Sequence, residues 1–227
     1  MKVDLPLQAP ESVDFPPYLP WVFSSILLPC PLYIITTVDA AGVPNAQPNS
    51  WGLPYGSGPM QMFLFSCLST HHTFENALAT GAFVVNLPSV DMCKCVMRTV
   101  RHYPRGVDEI VASGLTPLPS KQVIVPGIAE CKVHLECTVL WHHTVPLCEG
   151  VADAVIAGQI VAASADRDVL EGHAVEKLAA MATPFLVNRN VDARDWSISD
   201  PQMCGVLSRP VDFWEMTRET EPEEPAA

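Results

Sequence analysis

Proline is what most restricts this chain. Its 22 prolines fall between short apolar runs, and "PLYIITTVDAAGVPNAQPNSWGLPYGSGP" (residues 31–59) alone holds five of them. Proline lacks a backbone N–H and fixes φ, so no long helix can pass through such a stretch. Short strands joined by turns remain, and a helical bundle is disfavoured. Leu32 to Val38 is rich in β-branched residues and reads as a strand, Asp39 to Gly42 as a turn, and Val43 onward as a second strand. "PMQMFLFSCL" reads as a third, apolar enough for burial on both faces.

The remainder fits the same pattern. In "STHHTFENALATGAFVVN" (69–86), Phe74, Ala77 and Leu78 share a helical face, Thr70 or Thr73 can cap the start, Gly81 ends the helix, and a strand follows. Residues 90–112 read as irregular with short helices and carry Lys94, Arg98, Arg101 and Arg105. "LTPLPSKQVIVPGI" is a connector. "AECKVHLECTVLWHH" alternates, with Cys131, Val133, Leu135, Cys137 and Val139 on one face and Lys132, His134, Glu136 and Thr138 on the other, as in a half-buried strand. His142 and His143 read as its end. "VADAVIAGQIVAAS" is another strand, and "DVLEGHAVEKLAAMAT" a helix with Leu170, Ala174, Leu178 and Met181 in one stripe and His173 at the surface. Six or seven mostly antiparallel strands with interspersed helices predict a mainly β fold, a β-barrel with added helices. Residues 1–20 read as an extended N-terminal arm, 21–215 as one domain, and 216–227 as an acidic mobile tail.

Charge and cysteine usage narrow the function. The net charge of −12 repels nucleic-acid backbones and anionic lipid, so neither is an expected partner. The apolar run Val22 to Val38 is broken by Pro29 and Pro31 and is too short to span a bilayer. "MKVDLPLQAPESVD" lacks an apolar leader, and the eight cysteines form no CxxC, which suits thiols in a reducing cytoplasm.

His71 and His72 are adjacent, so their side chains diverge and a shared metal is not expected; no HxH, HxxxH or HExxH accompanies them. A helix start instead offers free N–H groups and a positive dipole end, so "STHHT" reads either as an anion grip or as a plain capped helix. Cys67, four residues before His71, could pair with it in thiol chemistry or be a buried thiol. No GxSxG, GxGxxG or Walker motif occurs, so a redox role would need a cofactor site of another kind.

The ordered series of motifs resembles the flavin reductase-like, FMN-binding split-barrel family. Thr36, Thr37, Asp39, Gly42, Asn45, Pro48, Ser50, Trp51, Pro54, Ser57 and Pro59 fall in step with its opening TT-x-D, G-x-x-N and P-x-S-W segments. Thr73, Asn76, Thr80, Gly81, Phe83, Val84, Val85 and Asn86 match its next segment, and "GLTPLPSKQVIVPGIAECKVHLECTV" the one after; the likeness covers roughly residues 25 to 165. The resemblance implies a split β-barrel, a homodimer, and FMN over Pro48, Asn49, Ser50 and Trp51. Its phosphate would lie near Ser66, Leu68, Ser69, His71, His72 and Thr73, with Thr73 the main contact and Asn86 among the cofactor residues. His71 and His72 stand where the family often has Lys and Asp, so a permanent cation gives way to a titrating one. The family's short flavin reductases carry Gly-Asp-His near the last barrel strand. Here that region reads "CEGVADAVIAGQI", closer to a flavoredoxin-like branch, with NAD(P)H one candidate donor. The implied activity is FMN-dependent oxidoreduction or electron transfer with a small-molecule substrate or a redox partner protein. A non-enzymatic FMN-binding protein on the same fold, and a thiol redox protein using Cys67 or Cys93/Cys95, are the alternatives.

Overall fold

The computed structural model describes residues 7–8, 11, 29–56, 58–187 and 203–206. Most of the arm (1–20), Ser57 and the tail (216–227) lie outside the described residues. The chain runs β1 (Cys30–Pro31), β2 (Tyr33–Val38), β3 (Pro44–Asn49), β4 (Gly52–Tyr55), β5 (Met62–Leu68), α1 (His72–Thr80) and β6 (Ala82–Leu87). It continues through α2 (Cys93–Arg98), α3 (Glu109–Ala112), β7 (Pro117–Leu118), β8 (Gly127–Ile128), β9 (Val133–Cys148), β10 (Val151–Ala165), α4 (Ala174–Met181), β11 (Pro184–Val187) and β12 (Met203–Val206).

Seven strands form one antiparallel sheet in the order β3-β2-β6-β9-β10-β5-β4. Its two edge strands, β3 and β4, are consecutive in the chain and separated only by Ser50 and Trp51. The sheet must therefore curl until its edges meet, which makes it a barrel. The Ser66 N–H donates to the Trp51 carbonyl at 2.9 Å, which carries the β4–β5 ladder up to the Ser50–Trp51 corner. β1, β11 and β12 form a separate three-stranded sheet.

The two larger apolar clusters among the described residues flank the sheet. Tyr33, Ile35, Phe63, Phe65, Cys67, Phe83, Val85, Cys137 and Ile156 fill one, with Tyr33 edge-on to Phe63 at 5.1 Å and Phe65 to Phe83 at 5.0 Å. Leu32, Ile34, Ala46, Met92, Val96, Ile110 and Ile128 form the other, where α2, α3 and the connector cover β2 and β3. β2 lies between them and is buried on both faces, so its run shows no alternation, and its Thr36 and Thr37 hydroxyls are hydrogen-bonded to the Pro126 carbonyl and Asn45.

Several sequence expectations need correction. β5 alternates, with Phe63, Phe65 and Cys67 inward and Met62, Leu64, Ser66 and Leu68 half-buried, so it is not buried on both faces. The polar face of β9 is not solvated: His134 and Glu136 are buried. The Glu136 carboxylate accepts from the Lys121 and Gln122 amides, and His134 Nε2 donates to the Ile128 carbonyl at 2.7 Å, so the connector packs over that face. Such burial is tolerated because each group is bonded. His142 and His143 sit within β9, which runs on to Cys148 in an exposed hairpin with β10. The last helix among the described residues is only Ala174–Met181, with none of its residues buried and Leu170 outside it. His173 flanks its start, where its backbone amide donates to the Glu176 carboxylate at 2.8 Å.

Gly158 marks where β10 must come close to the core. A Cβ there would lie 2.4 Å from Phe83 Cε1 and 2.9 Å from Cys137 Cβ. Gly158→Ala is expected to cost about 1–3 kcal/mol by overpacking. Combining it with Phe83→Leu should cost less than the two changes summed, as measured by urea unfolding.

Candidate functional site

β3 carries amide side chains at every second position: Asn45, Gln47 and Asn49. Residues two apart on a strand share a face, and each of these three ties down a different part of the segment from β5 into α1. Asn49 Nδ2 donates to the Ser66 carbonyl at 2.7 Å, while its Oδ1 accepts from the Trp51 amide at 2.9 Å. Gln47 Nε2 donates to His71 Nδ1 at 2.8 Å. Asn45 Oδ1 accepts from the Thr73 hydroxyl at 2.7 Å. The ladder draws the Pro48–Trp51 corner, the end of β5 and the first turn of α1 together.

The β5–α1 turn is held from the other side as well. The Ser69 amide donates to the Ala152 carbonyl, and its hydroxyl accepts from the Ala152 amide, at 2.8 and 2.9 Å. The His71 amide donates to the Leu68 carbonyl. α1 then starts with His71 as its flanking residue, without a side-chain cap, so neither Thr70 nor Thr73 caps it. Its first backbone bonds run from Phe74 and Glu75 to the His71 carbonyl. The amides before them, His72 and Thr73, have no partner within the helix and can meet an anion. Gly81 ends the helix at φ 68°.

The candidate residues thus separate. Pro48, Asn49, Ser50, Trp51, Ser66, Leu68, Ser69, His71, His72 and Thr73 are brought into one neighbourhood. Thr73 is buried and its hydroxyl faces Asn45, so its backbone amide rather than its side chain is what it can offer a ligand. Asn86 stands apart. It is fully buried, donates to the Ile34 carbonyl and Thr36 hydroxyl and accepts from the Ile128 amide, so it is a structural link between β2, β6 and β8 rather than a cofactor contact.

Gln47, Glu109 and His102 complete the neighbourhood, and the sequence reading missed them. Glu109 is buried on α3, accepts from the Ala46 amide and places Oε1 3.5 Å from His72 Nδ1. His102 lies close enough to His71 to disfavour its charge. Both arrive from a segment distant in sequence; for Gln47, the visible signal is the N-x-Q-x-N alternation of β3. Residues 92–107 contain Lys94, Arg98, Arg101 and Arg105 and no Asp or Glu, although the whole chain is at −12. Arg105 pairs with Glu75 in the first turn of α1, which sets this basic segment beside the helix start.

Other chemistries find less support. Burial, with the Asp153 charge beside it, pushes the Cys67 thiol up to about 12, so it holds no thiolate at neutral pH. Among the described residues, no group of three His, Cys, Asp or Glu side chains could hold a metal ion, and no helix is long and apolar enough to cross a membrane. A cavity of about 230 Å³ near Pro31, Tyr33, Leu87, Leu178, Thr183 and Phe185 shares no residue with the site.

Comparison with known proteins gives the family and the fold. Residues 25–186 match the family model of the flavin reductase like domain. A protein of Methanothermobacter thermautotrophicus is 31% identical over 145 residues, 63% of this chain and 66% of the relative, just under two thirds of its length. Nitrilotriacetate monooxygenase component B from Bacillus cereus superposes with a TM-score of 0.75 at 18% identity, over 93% of this chain and all (100%) of that one. Flavoredoxin of Desulfovibrio vulgaris superposes at 0.64 and 18% identity, over 82% and 92% of the two chains. At such identities the structural matches speak for the split-barrel fold.

His71 is held below the ordinary imidazole value of 6.5, first by burial and then by His102 and His72. A depressed folded-state value means that the neutral ring is favoured. Its contribution to stability is present above about pH 6.5 and is lost as pH falls through the folded-state value. The ligand-free protein is expected to weaken on acidification through that window, and His71→Gln to flatten that part of the slope in urea unfolding at a series of pH values. An unchanged slope would assign the acid sensitivity to another group.

Proposed function

The chain belongs to the flavin reductase like domain family, and from that premise we propose that it is an FMN-dependent oxidoreductase or electron-transfer flavoprotein. The observation that carries this reading is the β3 amide ladder, which ties the Pro48–Trp51 corner to the first turn of α1. The donor set fits a flavin monophosphate: first-turn amides and imidazoles for a phosphate, Arg105 brought to the first turn of α1 by its pair with Glu75, and a half-exposed Trp51 at the β3–β4 corner. FMN, when bound, supplies hydride and electron exchange at its ring.

In this reading the amides of His72 and Thr73 and the side chain of His71 hold the phosphate. The Pro48–Trp51 corner supports the ring through its backbone groups, and Ser66, Leu68 and Ser69 form the wall between them. Asn49 fixes the corner and Ser66 in one geometry. Glu109 holds His72 Nδ1 and so orients that ring. The substrate is a small molecule or a redox partner protein. The absence of Gly-Asp-His from "CEGVADAVIAGQI" favours a donor other than NAD(P)H, and hence the flavoredoxin-like version.

We also infer a homodimer. Leu53, Leu64, Ala157 and Trp141 stand in register across β4, β5, β10 and β9, so they form one row on one face of the barrel. Leu53 is 56% exposed and Trp141 44%, with Val145 and Leu147 exposed farther along β9. An apolar row of this extent suits a second copy of the chain.

Purified protein should bind one FMN per chain, with a shifted visible flavin spectrum. His71→Ala should weaken FMN binding about tenfold, equivalent to ~1.4 kcal/mol, and riboflavin binding far less. An anaerobic titration with NADH, NADPH and reduced ferredoxin-like donors then identifies the donor by bleaching of the flavin absorbance. Protein that neither carries nor binds flavin contradicts the proposal.

Trp141→Glu should shift the protein toward monomer in sedimentation velocity. A wild type that is monomeric at all concentrations removes the dimer.

A further inference from the structure

We infer that Gln47 is a positioning residue that couples phosphate binding at the start of α1 to uptake of a proton by His71. The inference rests on the reading that this corner holds a flavin phosphate.

The argument begins with donors and acceptors. An amide nitrogen only donates, so with Gln47 Nε2 at 2.8 Å, His71 Nδ1 must be the acceptor. The imidazole is therefore neutral, with its proton on Nε2. The other end of the same amide, Gln47 Oε1, is buried and has no hydrogen-bond partner among the described residues. A buried acceptor left in this state is costly. An imidazolium at position 71 would carry N–H on both nitrogens, and its Nδ1–H would confront the amide NH₂. A half-turn of the Gln47 amide removes that conflict, because Oε1 then accepts from Nδ1–H. The side chain has two settings, each matched to one charge state of His71, and the partnerless oxygen is the acceptor that the second setting uses.

The charges around His71 decide which setting prevails. His72 on α1 and His102 on the loop after α2 both oppose a positive ring, as does burial. Glu75, whose amide donates to the His71 carbonyl, has its carboxylate paired with Arg105, and Glu109 faces His72. No carboxylate among the described residues is paired with His71. The protein itself therefore holds the neutral setting, and an arriving phosphate dianion favours the charged one. Where the FMN phosphate is dianionic, affinity is highest at the acid end of that range. It falls as pH rises toward the ligand-bound value and is flat beyond it. Between the two values, each FMN bound brings up to one proton with it. Riboflavin, which lacks the phosphate, brings none.

The test is calorimetric titration of the protein with FMN at about pH 7, in buffers of differing protonation enthalpy. A phosphate monoester has its second pKa near ~6, so the ligand is then mostly dianionic and the proton count reports on the protein. The expected result is net uptake with FMN, none with riboflavin, and none with FMN for His71→Gln. Gln47→Glu keeps the side-chain shape and places a permanent acceptor on Nδ1–H. It should charge His71 in advance and bind FMN with little or no uptake at the same pH. FMN binding without uptake by the wild type overturns the inference and leaves the flavin reading standing, as does full uptake by Gln47→Glu. Protein that binds neither FMN nor riboflavin removes the flavin reading, and this inference with it.

Discussion

Closure of the barrel is the constraint on which the rest depends. The two edges of the seven-stranded sheet are β3 and β4, joined by Ser50 and Trp51 alone. A sheet whose edges are covalent neighbours cannot stay open. Asn49 secures the corner from both ends of its amide, to the Ser66 carbonyl and from the Trp51 amide. The edge-strand hazard of an open sheet is largely removed by the same closure. A backbone corner held by an amide side chain also leaves its own peptide groups near the surface, where a planar ligand can use them.

The site grows from that corner by strand periodicity. Because side chains on β3 repeat every two residues, Asn45, Gln47 and Asn49 meet the β5–α1 segment at three successive points. The start of α1 is thereby fixed relative to the corner, although it comes more than twenty residues later in the chain. A helix terminus attracts anions wherever it lies; here, the ladder, the basic loop and the imidazoles give that attraction a location. A mechanism that leaves redox chemistry to a cofactor asks little more of its protein than position, donors and charge. The lack of any triad or metal cluster motif is consistent with that division of labour.

Much of the fold was legible in the sequence, and the failures have physical causes. The TT-x-D turn, the strand after Gly81 and the predominance of strands could be read because proline, glycine and β-branched residues act locally. The burial of His134 and Glu136 could not. Their alternation looks like a solvated face, and only the connector folding across β9, with its amides bonded to Glu136, makes burial tolerable. Thr73 and Asn86 show the same limit in the site. Both lie in matched motifs, yet each hydrogen-bonds inward to distant partners, Asn45 and Ile34. Gln47 and Glu109 were overlooked because their importance depends on which residues meet across the fold, and a single sequence does not display that.

The most direct test is a crystal structure of the protein grown with FMN. The account predicts the phosphate against the His72 and Thr73 amides within hydrogen-bond reach of His71, with the ring over the Pro48–Trp51 corner. A flavin bound elsewhere on the barrel, or one whose phosphate lies in solvent away from α1, would contradict it.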